Sequence, residues 1–435
     1  MEFIEKLLFN KKVSVWGGGY LGYSYIIRLQ KAGFMVNWFD FGGNPIIGIL
    51  DGSFPSKVQK ESWSSSGDLP QIDIDRVKIC KDACEMFDSV LHIISFPALE
   101  NRQQNRLIQM RQIIMENLER LDSPLFLFQS AEVPRTIENS FIKAIEKEKC
   151  DCYYASAFRS DWTIEEFLTN SSVQIVSGYN PASIEKAKYF FGLMGMNCEI
   201  LSSIEEAEIY ENARKAAHFI LSAFLNQMSL SYPAIDIRKM TQLLIKNIGE
   251  QKDLLNIGAL QYKIASSIDH LVAGIKAENH LSILKDAEAG NISILFKYAD
   301  LIKKKGAKTV CIFGISAKNT YKDIRFSPSV ILSEYLHKSG MEVFIDDPCY
   351  DEGELISVLP FAQYFNINTD KMVSDALFIF RDHGDYRFLS QKDIEEKGIS
   401  NTKVVIDDVG LFKDFKFSEK TLYHIPGDGN LIKLQ

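Results

Sequence analysis

The sequence predicts an α/β chain in which two parallel-sheet domains are joined by a long central helix and a helical middle region. Three observations carry that expectation. Short apolar β runs alternate with helix-period stretches near both ends of the chain, a breaker-poor stretch from 204 to about 305 reads as helix, and a glycine-rich turn links the first β run to the first helix. With 435 residues, the chain is too long for one ordinary core. The divisions read as 1–200 for an N-terminal domain, 201–305 for a central helical region and 306–435 for a C-terminal domain.

Each element follows from its pattern. Lys12 to Trp16 is a short apolar β run, followed by Gly17, Gly18, Gly19, Tyr20, Leu21 and Gly22, and then by a periodic helix that stops at Gly33. Phe34 to Asp40 is a second strand, so the segment has the length and order of a parallel crossover. Further strands are expected at Ser89 to Ser95 and Leu125 to Gln129, each followed by helix, with a Ser-, Pro- and Gly-rich loop over 53–71. Ile204 to Leu230 reads as one long helix, and helical pattern continues to about Lys305. Alternation then returns: a strand at Thr309 to Phe313, a helix from about Pro328 to Gly340, and strands at Glu342 to Ile345, Ala376 to Phe380 and Lys403 to Ile406.

Composition narrows the function classes. Hydrophobic residues make up 46% and charged residues 24%, and the net charge is −8, the profile of a soluble globular protein for which nucleic acid is a poor partner. The start lacks the features of a secretory signal, and no apolar run has the length of a membrane span. Seven scattered cysteines, with only Cys80/Cys84 and Cys150/Cys152 close together, read as reduced thiols and a cytoplasmic location. No spacing of His, Cys, Asp and Glu suggests a metal site.

The turn Gly17-x-Gly19-x-x-Gly22 has the pattern of a dinucleotide-binding Rossmann motif. The first glycine permits the tight turn, the second lets backbone approach a pyrophosphate, and the third lets the helix pack closely on the strand. Tyr20 and Leu21 open the helix whose N-terminus would face the phosphates. Asp40, at the end of the second strand, stands where a carboxylate binds a ribose hydroxyl, which favours NAD over NADP. The alternative is a Rossmann domain that keeps the fold without the ligand.

Four ordered stretches resemble the UDP-glucose/GDP-mannose dehydrogenase family. They are VSVWGGGYLGYSYIIRLQKAGFMVNWFD, HIISFP with Phe96-Pro97 in place of Thr-Pro, IEEAEIYENARKAAHFILSAFLNQ, and GISAKNTYKDIRFSPSVILSEYLHKSGMEVFIDDP. The last fills the family signature with Gly314, Lys318, Asp323, Arg325, Ser327, Pro328, Asp347 and Pro348. The resemblance implies an NAD domain that includes Pro97, a central helix used for homodimerisation, and a second Rossmann-like domain that binds the UDP part of a nucleotide sugar. It implies sugar-nucleotide roles for Asn212, Gly258, Lys318 and Arg325, the two cations suiting a pyrophosphate.

The sequence also departs from that family. The family nucleophile, a cysteine that acts at the aldehyde stage, should fall near Gln261, Tyr262 and Lys263, and no cysteine lies between Cys198 and Cys311. Glu208 stands where the family has a lysine that stabilises developing oxyanion charge, so a carboxylate there would oppose it. Ser156 and Ala157 replace a Pro-Glu pair, and Ala131 replaces a threonine. Of the remaining thiols, Cys152 is the nearest to the Ser156 segment, and Cys311 reads as a small core residue. His218, six residues after Asn212, is a candidate base or a packed histidine.

Two readings follow: an NAD- and UDP-sugar-binding oxidoreductase with thiol-independent chemistry, or a non-catalytic relative that binds nucleotide ligands or partner subunits. A family-type oxidation to the uronic acid ranks third. A homodimer is expected on the helix from Glu205 to Tyr232, where Ile209, Ala213, Ala216, Ile220, Ala223 and Phe224, with Leu221 and Leu225, cover more than one face.

Overall fold

The computed structural model describes residues 2–41, 69–96, 100–130, 133–148, 151–159, 164–169, 173–248, 281–316, 324 and 327–431. They form two compact units that meet in sequence at Arg214 and Lys215.

The first unit is built on an eight-stranded sheet: β1 Lys12–Trp16, β2 Met35–Phe39, β3 Val77–Ile79, β4 Leu91–Ile94, β5 Leu125–Phe128, β6 Tyr153–Phe158, β7 Gln174–Gly178 and β8 Cys198–Ile200. The spatial order is β3-β2-β1-β4-β5-β6-β7-β8, and every pairing is parallel except β6 with β7. The second unit has six strands: β9 Thr309–Phe313, β10 Glu342–Asp346, β11 Gln363–Tyr364, β12 Ala376–Ile379, β13 Val404–Asp407 and β14 Leu422–His424. Their order is β11-β10-β9-β12-β13-β14, parallel throughout. Both sheets therefore repeat the doubly wound order in which the strand sequence reverses beside the first strand.

Covering a parallel sheet on both faces demands apolar side chains at both parities of a strand. In β5, Leu125 and Leu127 join one core cluster, while Phe126 and Phe128 join the cluster on the opposite face. Val310 and Ile312 of β9 likewise separate from Cys311 and Phe313. The strands expected from the sequence agree with β1, β2, β4, β5, β9, β10, β12 and β13. The helix Glu2–Asn10 and the strands β3, β6, β7, β8, β11 and β14 had not been anticipated.

The long helix is Ile204–Ser231, and the helices Ile237–Ile248 and Ser282–Lys304 follow it. Most of the expected 53–71 loop falls outside the described residues, as does the helical pattern over 249–280. The helix after the glycine turn, Tyr20–Lys31, buries a charged residue. Arg28 is 6% exposed, and its guanidinium donates to the carbonyls of Phe167 and, at 2.6 Å, Met194. Those bonds offset the desolvation that an unpartnered guanidinium would incur.

Candidate functional site

In the first unit the strand order reverses between β1 and β4, and the glycine turn leaves β1 at that point. Two of the three glycines are held by different constraints, and the third is left open. Gly17 has φ +112°, and its carbonyl accepts the Trp38 indole N–H at 3.0 Å. A Cβ on Gly22 would lie 2.1 Å from the Gly17 carbonyl oxygen, so only glycine lets the helix approach the strand this closely. A Cβ on Gly19 would meet nothing within 4 Å. Gly19 thus borders open space at the head of a helix, where a phosphate can approach backbone.

Asp40 follows β2 and accepts the Gly18 N–H at 2.6 Å. The carboxylate expected to face a ribose is therefore also tied to the turn that would face the phosphates. Sequence reasoning missed two supports of this turn. Ser95, just after β4, donates its hydroxyl to the Trp16 carbonyl at 2.7 Å. Arg159, just after β6, donates to the Ser24 hydroxyl at 2.5 Å and to the Tyr20 hydroxyl at 3.3 Å, with its guanidinium over the Phe167 ring at 3.5 Å. Ser95 adjoins the Phe96-Pro97 segment and carried that signal. Arg159 lies in no motif. Leu21 contributes its carbonyl to the Ser24 hydroxyl at 2.8 Å. Pro97 lies outside the described residues.

Glu208 and Asn212 stand one turn apart on the long helix, where the Asn212 amide donates to the Glu208 carbonyl at 2.9 Å. The Glu208 side chain is fully buried, and its carboxyl accepts the backbone N–H groups of Arg135 at 2.8 Å and Ile137 at 3.5 Å. Arg135 has φ +74°, so this carboxyl braces a backbone conformation that side chains disfavour. Burial pushes the Glu208 carboxyl up to about 8, although the two N–H groups pull the other way. Raised in this way and bound to backbone, the Glu208 carboxyl is not the bare negative charge that the sequence led one to expect.

His218 belongs to the second unit and is 7% exposed. Ser156 and Ala157, in β6, are fully buried. Burial raises the thiols of Cys80 and Cys198 to about 11 and that of Cys311 well above its ordinary range, the reverse of an activated nucleophile. Cys152 is 8% exposed. Gly258, Lys318 and Arg325 lie outside the described residues, as do Ala131, Asp323 and the segment 261–263.

At the reversal point of the second sheet, Gly314 has φ +84° and its backbone lies against Arg381, whose Cβ would be 2.5 Å from an added Cβ. Asp347 follows β10 as Asp40 follows β2. One of its oxygens accepts the Ile315 N–H at 2.8 Å, the Ser316 N–H at 2.7 Å and the Ser316 hydroxyl at 2.8 Å; the other accepts the Cys349 N–H at 2.9 Å. Burial opposes its ionisation, but His383 and these donors prevail and hold the carboxyl down to about 2. Its neighbour Asp346 is pushed up by burial to about 7, despite N–H and O–H bonds from Ile367 and Tyr386.

The absence of a metal-ligand spacing in the sequence does not carry over to the fold, which gathers Asp347, Cys349 and His383 with ligand atoms within 4.8 Å of one another. The first two are near neighbours in sequence, but His383 arrives after β12. No helix among the described residues is long and apolar enough to cross a membrane.

Comparison with known proteins bears on both sheets. Residues 311–414 match the UDP-binding domain of the UDP-glucose/GDP-mannose dehydrogenase family. A UDP-N-acetyl-D-mannosamine dehydrogenase of Methanococcus aeolicus is 23% identical, covering 96% of this chain and 95% of the relative. Another, of Methanocaldococcus jannaschii, is 22% identical over 99% of each chain. Among solved structures, a UDP-glucose dehydrogenase from Pyrobaculum islandicum has a TM-score of 0.70 at 16% identity, covering 95% of this chain and 96% of that one. A UDP-D-ManNAc dehydrogenase from Pyrococcus horikoshii has a TM-score of 0.68 at 17% identity, with 96% and 100% covered. With two doubly wound sheets in the expected order and residues 311–414 matched by the family's UDP-binding domain, the chain is similar over nearly its whole length to members of the UDP-glucose/GDP-mannose dehydrogenase family.

Proposed function

We propose that this protein is an NAD-dependent oxidoreductase acting on a CH–OH group of a UDP-sugar, by chemistry that does not use a thiol. The observation that carries the cofactor is the open approach at Gly19, flanked by a turn that Gly17 and Gly22 lock and that Asp40 ties to β2. Gly17 to Gly22, including Tyr20 and Leu21, would hold the pyrophosphate, and Asp40 a ribose hydroxyl. NAD, when bound, supplies the hydride acceptor. The UDP-binding match over 311–414 supports the nucleotide half of the substrate, with Lys318 and Arg325 as its proposed cations. The relatives named UDP-N-acetyl-D-mannosamine dehydrogenases make an N-acetylated UDP-hexosamine the first sugar to test.

Three features support chemistry without a thiol. The segment that should carry the family cysteine has none, Cys80, Cys198 and Cys311 are raised by burial, and Glu208 is engaged with backbone at the family's lysine position. In this reading Glu208 positions the 135–137 backbone, and Asn212 and Gly258 contact the sugar. Self-association through the long helix is part of the proposal. Ile209 at 42% exposed and Phe224 at 52% leave apolar surface on it.

The test is NADH absorbance across UDP-, GDP- and dTDP-sugars, read beside direct binding of each sugar. The expected outcome is one NADH per UDP-sugar, unaffected by thiol alkylation. Two NADH per sugar, with a uronic acid as product and loss of activity on alkylation, would overturn the thiol-independent reading. Tight binding of NAD and UDP-sugar with no turnover would favour a non-catalytic relative.

A further inference from the structure

We propose that Asp347, Cys349 and His383 form a three-ligand Zn²⁺ site at the reversal point of the second sheet. Their ligand atoms, a carboxylate oxygen, a thiol sulfur and an imidazole nitrogen, lie within 4.8 Å of one another. Bonds of about 2.0–2.3 Å in a tetrahedron place ligands about 3.3–3.8 Å apart, so closure by about an ångström completes the site. The donor set suits zinc: mixed nitrogen, sulfur and oxygen ligands fit a borderline-soft ion, whereas calcium and magnesium select oxygen alone.

An independent observation comes from His383. Its side chain is 2% exposed, and Nε2 is buried with no hydrogen-bond partner. The nearest acidic atom, Asp347 Oδ1, is 3.6 Å away, beyond a charge-assisted hydrogen bond of about 2.7–2.9 Å. A buried nitrogen left in this state costs about 1–3 kcal/mol. A cation among the three ligand atoms satisfies it. The surroundings already orient the other ligand, because Asp347 Oδ2 accepts two N–H groups and a hydroxyl from Ile315 and Ser316 while Oδ1 faces Cys349. Such outer bonds fix a metal-binding carboxylate. The His383 ring is set edge-on to Tyr386, with centroids 5.4 Å apart at 89°. Cys349 is only partly buried, which gives an ion a route in.

The balance of the binding step is simple. Cys349 loses its thiol proton to solvent as the S–Zn bond forms, His383 donates the lone pair of a neutral imidazole, and Asp347 binds as the carboxylate it already is. Three protein ligands leave a fourth position for water or a ligand oxygen. The site lies within the C-terminal unit, and its existence does not depend on the proposed activity.

The test uses the full chain, stripped with a chelator and titrated with Zn²⁺ by calorimetry and with Co²⁺ by absorbance. One equivalent per chain is expected, with a thiolate-to-cobalt charge-transfer band and tetrahedral cobalt absorption. Cys349→Ser should abolish that band and weaken Zn²⁺ at least tenfold, and His383→Gln should weaken it by a similar factor. Cys349→Ser replaces a partly buried thiol with its near-isostere, so it serves if the buried histidine variant fails to fold. Absence of Zn²⁺ binding in the parent, or an unchanged cobalt band in Cys349→Ser, would overturn the site. Neither result touches NADH formation, so the site and the proposed activity fail separately.

Discussion

The two units solve one problem twice. In each, a glycine with positive φ follows the first strand of the sheet, and a carboxylate after the second strand accepts N–H groups from the turn: Asp40 from Gly18, Asp347 from Ile315 and Ser316. What lies beyond the turn differs. In the first unit the chain enters its helix at Tyr20 with Gly19 open to space. In the second the next described helix is Pro328–Lys338, and the side chains of Asp347 and Arg381 lie against the turn. Among the described residues, one turn leaves its middle glycine open and the other lies against side chains, and the shared strand order does not decide which.

Substitutions can break or sharpen that contrast. The largest effect should come from Gly22→Val, whose Cβ would meet the Gly17 carbonyl at 2.1 Å. Overpacking of this kind should cost about 3 kcal/mol or more, read as a fall in denaturation midpoint. Gly19→Val should leave that midpoint near the parent's, because nothing lies within 4 Å, while weakening NAD roughly 100-fold, about 2.7 kcal/mol. Equal NAD affinity in calorimetry would remove the cofactor from the first turn.

In the second unit, Asp347→Asn tests whether the carboxylate is structural. Its folded carboxyl is held at about 2, below its unfolded value, so its stabilisation is present above about pH 4 and is lost as pH falls towards 2. The variant should be roughly 2 kcal/mol less stable at neutral pH and should lose less stability than the parent across that acid range. Parallel stability-against-pH curves would refute the assignment. The smallest effect is expected from Asp40→Asn. It keeps an acceptor for the Gly18 N–H but removes the charge proposed to face the ribose, so NAD should weaken about tenfold and the preference over NADP should narrow. An unchanged NAD to NADP affinity ratio would argue against Asp40 as the ribose ligand.

The sequence exposed what is periodic or local. The apolar runs at Lys12 to Trp16 and Thr309 to Phe313, the glycine turn and the long helix were all legible, because each is dictated within a few residues. Strands such as β3, β8 and β11, of two or three residues, are too short to show a period. The candidate sites divide the same way. Gly17 to Asp40 could be read from one crossover, whereas the approach of His383 to Asp347 depends on β12 pairing with β9 and has no linear signature. Glu208 could be singled out from the sequence by the family resemblance, but not as a buried carboxyl, because the N–H groups it binds come from 135 and 137.

The parallel order of the second sheet also sets how this protein must come into being. β9 is central, and one of its two neighbours, β12, lies 66 residues further on, where Asp375 bonds to the Thr309 backbone. Parallel partners cannot meet through a tight hairpin, so the run TVCIF emerges with an open apolar edge and must wait for distant chain. During synthesis or refolding, that interval favours pairing between copies. Recovery from denaturant should therefore fall with protein concentration, even though the finished sheet buries β9 between two strands.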